Sequence, residues 1–190
     1  MGFLDALLGR SRTAQPAKKD RLFAISTAYV TLQAEYGIEN AGKAGIVFQG
    51  LATSDFASIV KDTEEVLRAT GQETGTTVKT AEDDYGYRWV ILSDPDVEDL
   101  VVGVNAVKDS LETSGYGDRV LAAVFAFREN GRPLYFIYNV KRGHWYPFVP
   151  APGTQARNTE RELQIKAQLG SELPIEPELE RWFPLWGIPI

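Results

Sequence analysis

The sequence predicts an α+β fold, a single domain with a mainly antiparallel sheet and packed helices. Three observations point there. Tight-turn signals recur between β-rich runs at D-D-Y-G (83 to 86), E-N-G-R (129 to 132) and K-R-G (141 to 143), and such turns join antiparallel neighbours. Apolar residues at three- and four-residue steps mark helices that cluster apart from the consecutive hairpins. Runs of strands and runs of helices, in place of strict βαβ alternation, favour segregated layers.

Taken in order, M-G-F-L-D-A-L-L-G-R-S-R opens the chain. It is interrupted by Asp5 and lacks the small-residue cleavage pattern of a secretory signal. On a helix, Met1, Phe3, Leu4, Leu7 and Leu8 fall within an arc of about 160°. This amphipathic stretch, followed by Arg10 and Arg12, either packs on the domain or lies in the plane of a membrane surface. Phe3, Leu4, Leu7, Leu8 and Arg10 are the membrane-contact candidates. The T-A-Q-P-A-K-K stretch reads as a linker, and Ser26 as the N-cap of a helix over 27 to 36 ended by Gly37.

A-G-I-V-F-Q at 44 to 49 is a short strand. Ser54 is expected to cap a helix with Phe56, Ile59, Val60, Val66 and Leu67 on its core face and Gly71 at its end. Strands at 75 to 81 and 87 to 92 flank D-D-Y-G. From Asp94-Pro95-Asp96 the clearest helix runs through Val97, Leu100, Val101, Val104, Val107 and Leu111. Val120 to Phe127 is almost wholly apolar, as in a strand covered on both faces. A strand at 134 to 140 and a third, H-W-Y-P-F-V, follow, and Pro147 marks the latter as an edge. A charged helix over 156 to 169 ends at Gly170. Three parts result: residues 1–19, amphipathic helix and linker; 20–172, the α+β domain; and 173–190, a Pro- and aromatic-rich tail docked on that domain.

Composition narrows function. The chain has no cysteine and one histidine, His144, so disulfides, thiolate metal sites and histidine-based zinc clusters are excluded. Absence of cysteine is compatible with a cytoplasmic setting. Asp94 and Asp96, with Glu98 and Asp99, make an acidic first helical turn that the helix dipole explains without a metal. Asp83 and Asp84 read as solvated turn carboxylates. No phosphate-binding G-x-x-x-x-G-K-[ST] and no G-x-S-x-G nucleophile motif occurs. Neither an enzyme nor a cofactor is expected.

Net charge is −6. Residues 1 to 21 carry five basic and two acidic side chains, a surplus of +3, which leaves −9 on the remainder. Nucleic acid is a poor partner for so acidic a body. Binding features are stronger. K-R-G-H-W-Y-P-F at 141 to 148 combines cations and aromatics of the kinds that dominate interfaces, although Trp145 could equally belong to the core. The tail L-P-I-E-P-E-L-E-R-W-F-P-L-W-G-I-P-I adds Arg181, Trp182 and Trp186, docked on the domain or offered to a partner. Lys141, Arg142, Trp145, Tyr146, Arg181, Trp182 and Trp186 are the partner-binding candidates.

The opening M-G-F-L-D-A-L-L-G-R, the K-R-G-H-W-Y-P-F-V-P segment and the ending E-L-P-I-E-P-E-L-E-R-W-F-P-L-W-G-I-P together resemble the PspA-associated protein family PspAB. D-L-V-V-G-V-N and the Asn130-Gly131-Arg132 turn fit the same order, so the resemblance spans essentially the whole chain. It implies a non-enzymatic accessory of PspA, the membrane-remodelling protein of the phage-shock envelope-stress response, with PspA or another envelope-stress protein as partner. The alternation of helices and antiparallel strands is similar to secretion chaperones and YbjN-like proteins. That analogy supplies the alternative of a chaperone-like protein holding a client segment on its sheet face.

Overall fold

The computed structural model describes residues 18–153 and 155–190. The membrane-contact candidates Phe3, Leu4, Leu7, Leu8 and Arg10 lie outside the described residues. The elements are α1 (Lys18–Tyr36), β1 (Ile38–Gln49), α2 (Ser54–Thr74), β2 (Thr77–Glu82), β3 (Tyr87–Ser93), α3 (Val97–Thr113), β4 (Val120–Glu129), β5 (Arg132–Asn139), β6 (His144–Phe148) and α4 (Thr159–Leu169). The strands form one antiparallel sheet in the order β2-β3-β1-β4-β5-β6. The α+β class read from the sequence is the class observed.

Alternating side chains divide between two apolar layers. Ile46, Phe48, Leu92, Phe125, Phe136 and Trp145 face the helices, meeting Leu22, Ile25, Ala28 and Leu32 of α1 and the apolar stripe of α3. Val47, Trp89, Ile91, Val124 and Ile137 face the other way, where Trp182, Leu185, Trp186, Ile188 and Ile190 cover them. Both faces of the central strands are thus apolar, which is why β4 reads as a nearly unbroken hydrophobic run.

α3 matches its periodicity: Val97, Leu100, Val101, Val104, Val107 and Leu111 are all buried. Its N-cap is Asp96, whose carboxylate accepts from Glu98 N at 2.7 Å. Asp94 accepts Asp96 N at 2.8 Å on one oxygen and the Thr76 hydroxyl at 2.6 Å on the other. It therefore staples the start of α3 to the start of β2. At the β4–β5 turn, Asn130 and Gly131 take φ of 51° and 75°, the left-handed pair that suits a two-residue hairpin.

Several boundaries differ from expectation. α1 begins at Lys18, and Ser26 lies inside it, because Leu22 and Ile25 continue the core-facing steps of Ala28 and Leu32 through a run whose charges resemble a linker. β1 starts at Ile38 rather than 44, since an irregularity between Asn40 and Lys43 interrupts its alternation without ending its pairing. The α2 cap is Thr53, and the helix passes Gly71 to end at Gly75 with φ of 93°. Gly71 serves close approach instead: a Cβ there would sit 2.1 Å from the Thr76 carbonyl oxygen. Val66, expected on the core face, is 64% exposed, because α2 enters the core mainly through Phe56 in its first turn. α4 starts at Thr159, since Arg157 bridges to Pro150 and Ala151 N bonds to Ala156 O at 2.8 Å.

Asp83 is not simply solvated. One carboxylate oxygen accepts Tyr85 N and Tyr87 N at 3.0 and 2.9 Å, and the other accepts the Trp89 indole N–H at 2.9 Å. This local capping fixes the β2–β3 turn.

Candidate partner-binding site

β6 closes one side of the sheet, and Pro147 lies in it as an edge strand permits. Its outer edge is partly occupied. Trp145 N donates to Pro174 O at 2.9 Å, and Glu176 N donates to Trp145 O at 2.8 Å, which adds Ile175 as a short parallel partner. On the helix side, the Trp145 indole donates to Arg21 O at 2.7 Å and its ring packs 5.0 Å from Tyr138 and 5.6 Å from Phe125. Trp145 thus joins α1 to the segment after α4.

Glu176 is the hub of the polar cluster beside it. Its side chain is 2% exposed, and its Oε2 accepts Arg142 Nε at 2.7 Å while its Oε1 accepts Glu178 N at 3.2 Å. His144 Nδ1 lies 3.7 Å away, and Arg181 approaches Oε1 at 3.9 Å while pairing with Glu178 at 2.8 Å. Burial, the largest influence on Glu176, raises its pKa from 4.5, but the Arg142 hydrogen bond, the Glu178 N–H and the nearby charges outweigh it and leave the value lowered. His144 is lowered from 6.5, first by burial and then by Arg21 and Arg142, against an upward pull from Glu176.

Both shifts are depressions, so each contributes stability above its unfolded pKa that is lost as pH falls. For His144 the loss begins below 6.5, and for Glu176 below 4.5. Urea-unfolding stability is expected to decline between about pH 7 and about pH 5. His144→Asn should flatten that part of the profile. An unchanged slope in the variant would show that protonation elsewhere sets the decline.

The site candidates are not placed alike. Lys141 and Arg142 are exposed at the β5–β6 turn and Arg181 is partly exposed. Trp145, Tyr146 and Trp182 are buried, at 0%, 4% and 4% exposure. Tyr146 donates its hydroxyl to Phe183 O at 3.1 Å and stacks on Trp182, whose indole donates to Glu176 O at 3.0 Å. Trp186 is half-buried, edge-on to Phe148 at 5.1 Å. Their rings therefore shape the surface from beneath.

Three exposed apolar side chains were not singled out from the sequence. Leu163, Leu179 and Phe183 are exposed at 39%, 42% and 58%. Leu163 and Leu179 border a hollow of about 220 Å³ with Trp182 and Arg157 in its wall. Leu163 had a readable signal: in T-E-R-E-L-Q-I-K-A-Q-L the buried face belongs to Ile165 and Leu169, leaving Leu163 turned outward. A larger cleft of about 590 Å³ lies between the β4–β5 turn and residues 149 to 158. Of its arginines, Arg161 is bonded to Glu129 at 2.6 Å and Arg157 to Glu162 at 2.7 Å. Among the described residues no group of three or more His, Asp or Glu is arranged to hold a metal, and no helix is long and apolar enough to cross a membrane.

The fold is that of an α+β protein whose sheet carries helices on one face and residues 182 to 190 on the other. The chain belongs to the PspAB family, described as PspA associated protein B, whose family model matches residues 1–190. No curated protein and no solved structure gave a significant match.

Proposed function

We propose that this protein is a non-enzymatic adaptor that accompanies PspA in the phage-shock envelope-stress response, working in the cytoplasm at the inner face of the cell membrane. The observation that carries this reading is the match to PspA associated protein B across residues 1–190. The partner, PspA or another envelope-stress protein, is held by the surface of Leu163, Leu179 and Phe183, flanked by Lys141, Arg142 and Arg181. Buried Trp145, Tyr146, Trp182 and half-buried Trp186 set its shape. The amphipathic residues Phe3, Leu4, Leu7, Leu8 and Arg10 contact anionic lipid weakly, because one short helix with few cations gives reversible attachment.

A chaperone-like reading, with a client segment on the sheet face, requires that client to displace residues 182 to 190, since both faces are covered. Binding of purified PspA should separate the two. Leu179→Asp and Phe183→Asp are expected to weaken it at least about tenfold, or about 1.4 kcal/mol, while leaving thermal stability near wild type. Full retention of binding by the double variant would remove this surface from the proposal. Suppression of aggregation of unrelated clients, without preference for PspA, would transfer the function to the chaperone-like alternative.

A further inference from the structure

The β4–β5 hairpin separates two hollows, and cations gather on both sides of it. Toward α4 lies the cleft of about 590 Å³, with Arg132, Arg157 and Arg161 in its lining. On the other side, a hollow of about 180 Å³ is bordered by Lys43, Arg128, Gly131 and Tyr135. Pro133 lines both. The side chains of the two linings include five cations and one acid, Glu129, a surplus of +4 in a protein whose net charge is −6. We propose that this hairpin is a docking site for an acidic, partly apolar segment of a partner protein.

Two of the five cations are already engaged. Arg161 holds Glu129 at 2.6 Å and Arg157 holds Glu162 at 2.7 Å, which fixes the wall of the larger cleft. Lys43, Arg128 and Arg132 are different. All three are exposed, and none of their side chains has a hydrogen bond or ion pair among the described residues. Register brings them together: Arg128 is paired with Pro133 and Arg132 with Glu129 across the hairpin, while Lys43 lies opposite Ala126, two residues before Arg128 on the same strand. Glu39 is also opposite Arg128, on β1, and forms no ion pair with it. Diagonal neighbours on adjacent strands are within reach of long side chains, and like charges so placed repel. A carboxylate bound among them relieves that repulsion.

The walls of the larger cleft decide which anion fits. Pro133, Leu134, Val149 and Pro150 make it partly apolar, so it takes side chains as well as charge. A flat lipid surface does not enter a concave cleft, and nucleic acid meets the net negative body beyond the hairpin. An acidic chain with apolar residues between its carboxylates satisfies cations and walls together. Its charge speeds encounter and fixes its orientation on the hairpin. Leu179 and Phe183 line neither hollow, and the chemistry of this ligand does not depend on the partner's being PspA.

A labelled peptide of Glu-Glu-Leu repeats, titrated with the protein at low salt and read by fluorescence anisotropy, tests the assignment. It is expected to bind at least about tenfold more tightly than its Gln-Gln-Leu counterpart, with affinity falling as salt is raised. Arg128→Gln/Arg132→Gln should weaken it at least about tenfold. Lys79→Gln, exposed on β2 at the far edge of the sheet, should leave it unchanged, as should Leu179→Asp/Phe183→Asp. Both arginines are exposed, so the melting temperature of the double variant should stay near wild type. Equal binding by wild type and the double variant, or equal binding of the two peptides, would overturn the proposal. Phosphatidylglycerol vesicles that bind wild type, displace the peptide and ignore the double variant would give the hairpin to lipid instead. Self-association of the protein that the double variant loses would give it to a second copy.

Discussion

Truncation after Leu173 is expected to remove most of the stability of this protein. The deleted residues include Trp182, 4% exposed, together with Ile175, Leu185, Trp186, Ile188 and Ile190, which pack on the second face of the sheet. A fully buried large apolar side chain contributes about 1.5 to 3 kcal/mol, so one buried tryptophan and five partly buried neighbours reach about 5 kcal/mol or more. Domains have only about 5 to 15 kcal/mol in total. Truncation also uncovers Val47, Trp89, Ile91, Val124 and Ile137 as one contiguous apolar surface, a cause of association. Circular dichroism should show a collapsed melting transition, and a hydrophobic dye should bind the truncated chain at room temperature. Trp182→Ala is the graded version, at about 3 to 5 kcal/mol, or a melting temperature lower by roughly 6 to 20 °C. An unaltered melting curve after truncation would mean that the sheet does not need this cover.

Glu162→Ala is the second large effect. Glu162 is 0% exposed at the start of α4, where it accepts Val149 N at 2.9 Å and Arg157 Nε at 2.7 Å. Arg157 also donates to Trp182 O and lies over the Phe148 ring, so it connects α4, β6 and the covering segment. Removing the carboxylate strands both donors beside an arginine whose buried Nη2 has no hydrogen-bond partner among the described residues. Breaking a buried pair from one side costs about 3 to 5 kcal/mol, and the 21% exposure of the Arg157 side chain trims this to about 2 to 4 kcal/mol. Burial raises the Glu162 pKa from 4.5 more than Arg157 and Val149 lower it, so its neutral form is comparatively tolerated. Glu162→Gln, which keeps an acceptor, should therefore lose only about half as much in urea unfolding. Equal losses for Ala and Gln would show that the charge, rather than the acceptor, holds the corner together.

Elements that depend on local spacing were legible. α3 follows from six apolar positions at helical steps, the β4–β5 turn from Asn130-Gly131, and the edge position of β6 from Pro147. The misses have a common physical cause, since they depend on contacts between residues remote in sequence. Lys18 and Lys19 look like the end of a linker, because their charges hide the helix that carries Leu22 and Ile25 into the core. Glu162 and Glu176 were not singled out, because nothing local reveals that Arg157 and Arg142 meet them away from water. The aromatic candidates were recognisable as important residue types, but burial of Trp145 and Trp182 and exposure of Leu179 and Phe183 are decided by how the last segment crosses the sheet.

The position of Trp145 also bears on how the molecule is made. Its indole is bonded to Arg21 and its backbone to Pro174 and Glu176, so the edge of the sheet is completed only when segments from opposite ends of the sequence have both arrived. During synthesis, helices α1 to α3 and strands β1 to β5 emerge with the second face of their sheet still bare. The nascent protein therefore offers chaperones and proteases a window of recognition that shuts when residues 182 to 190 pack on that face.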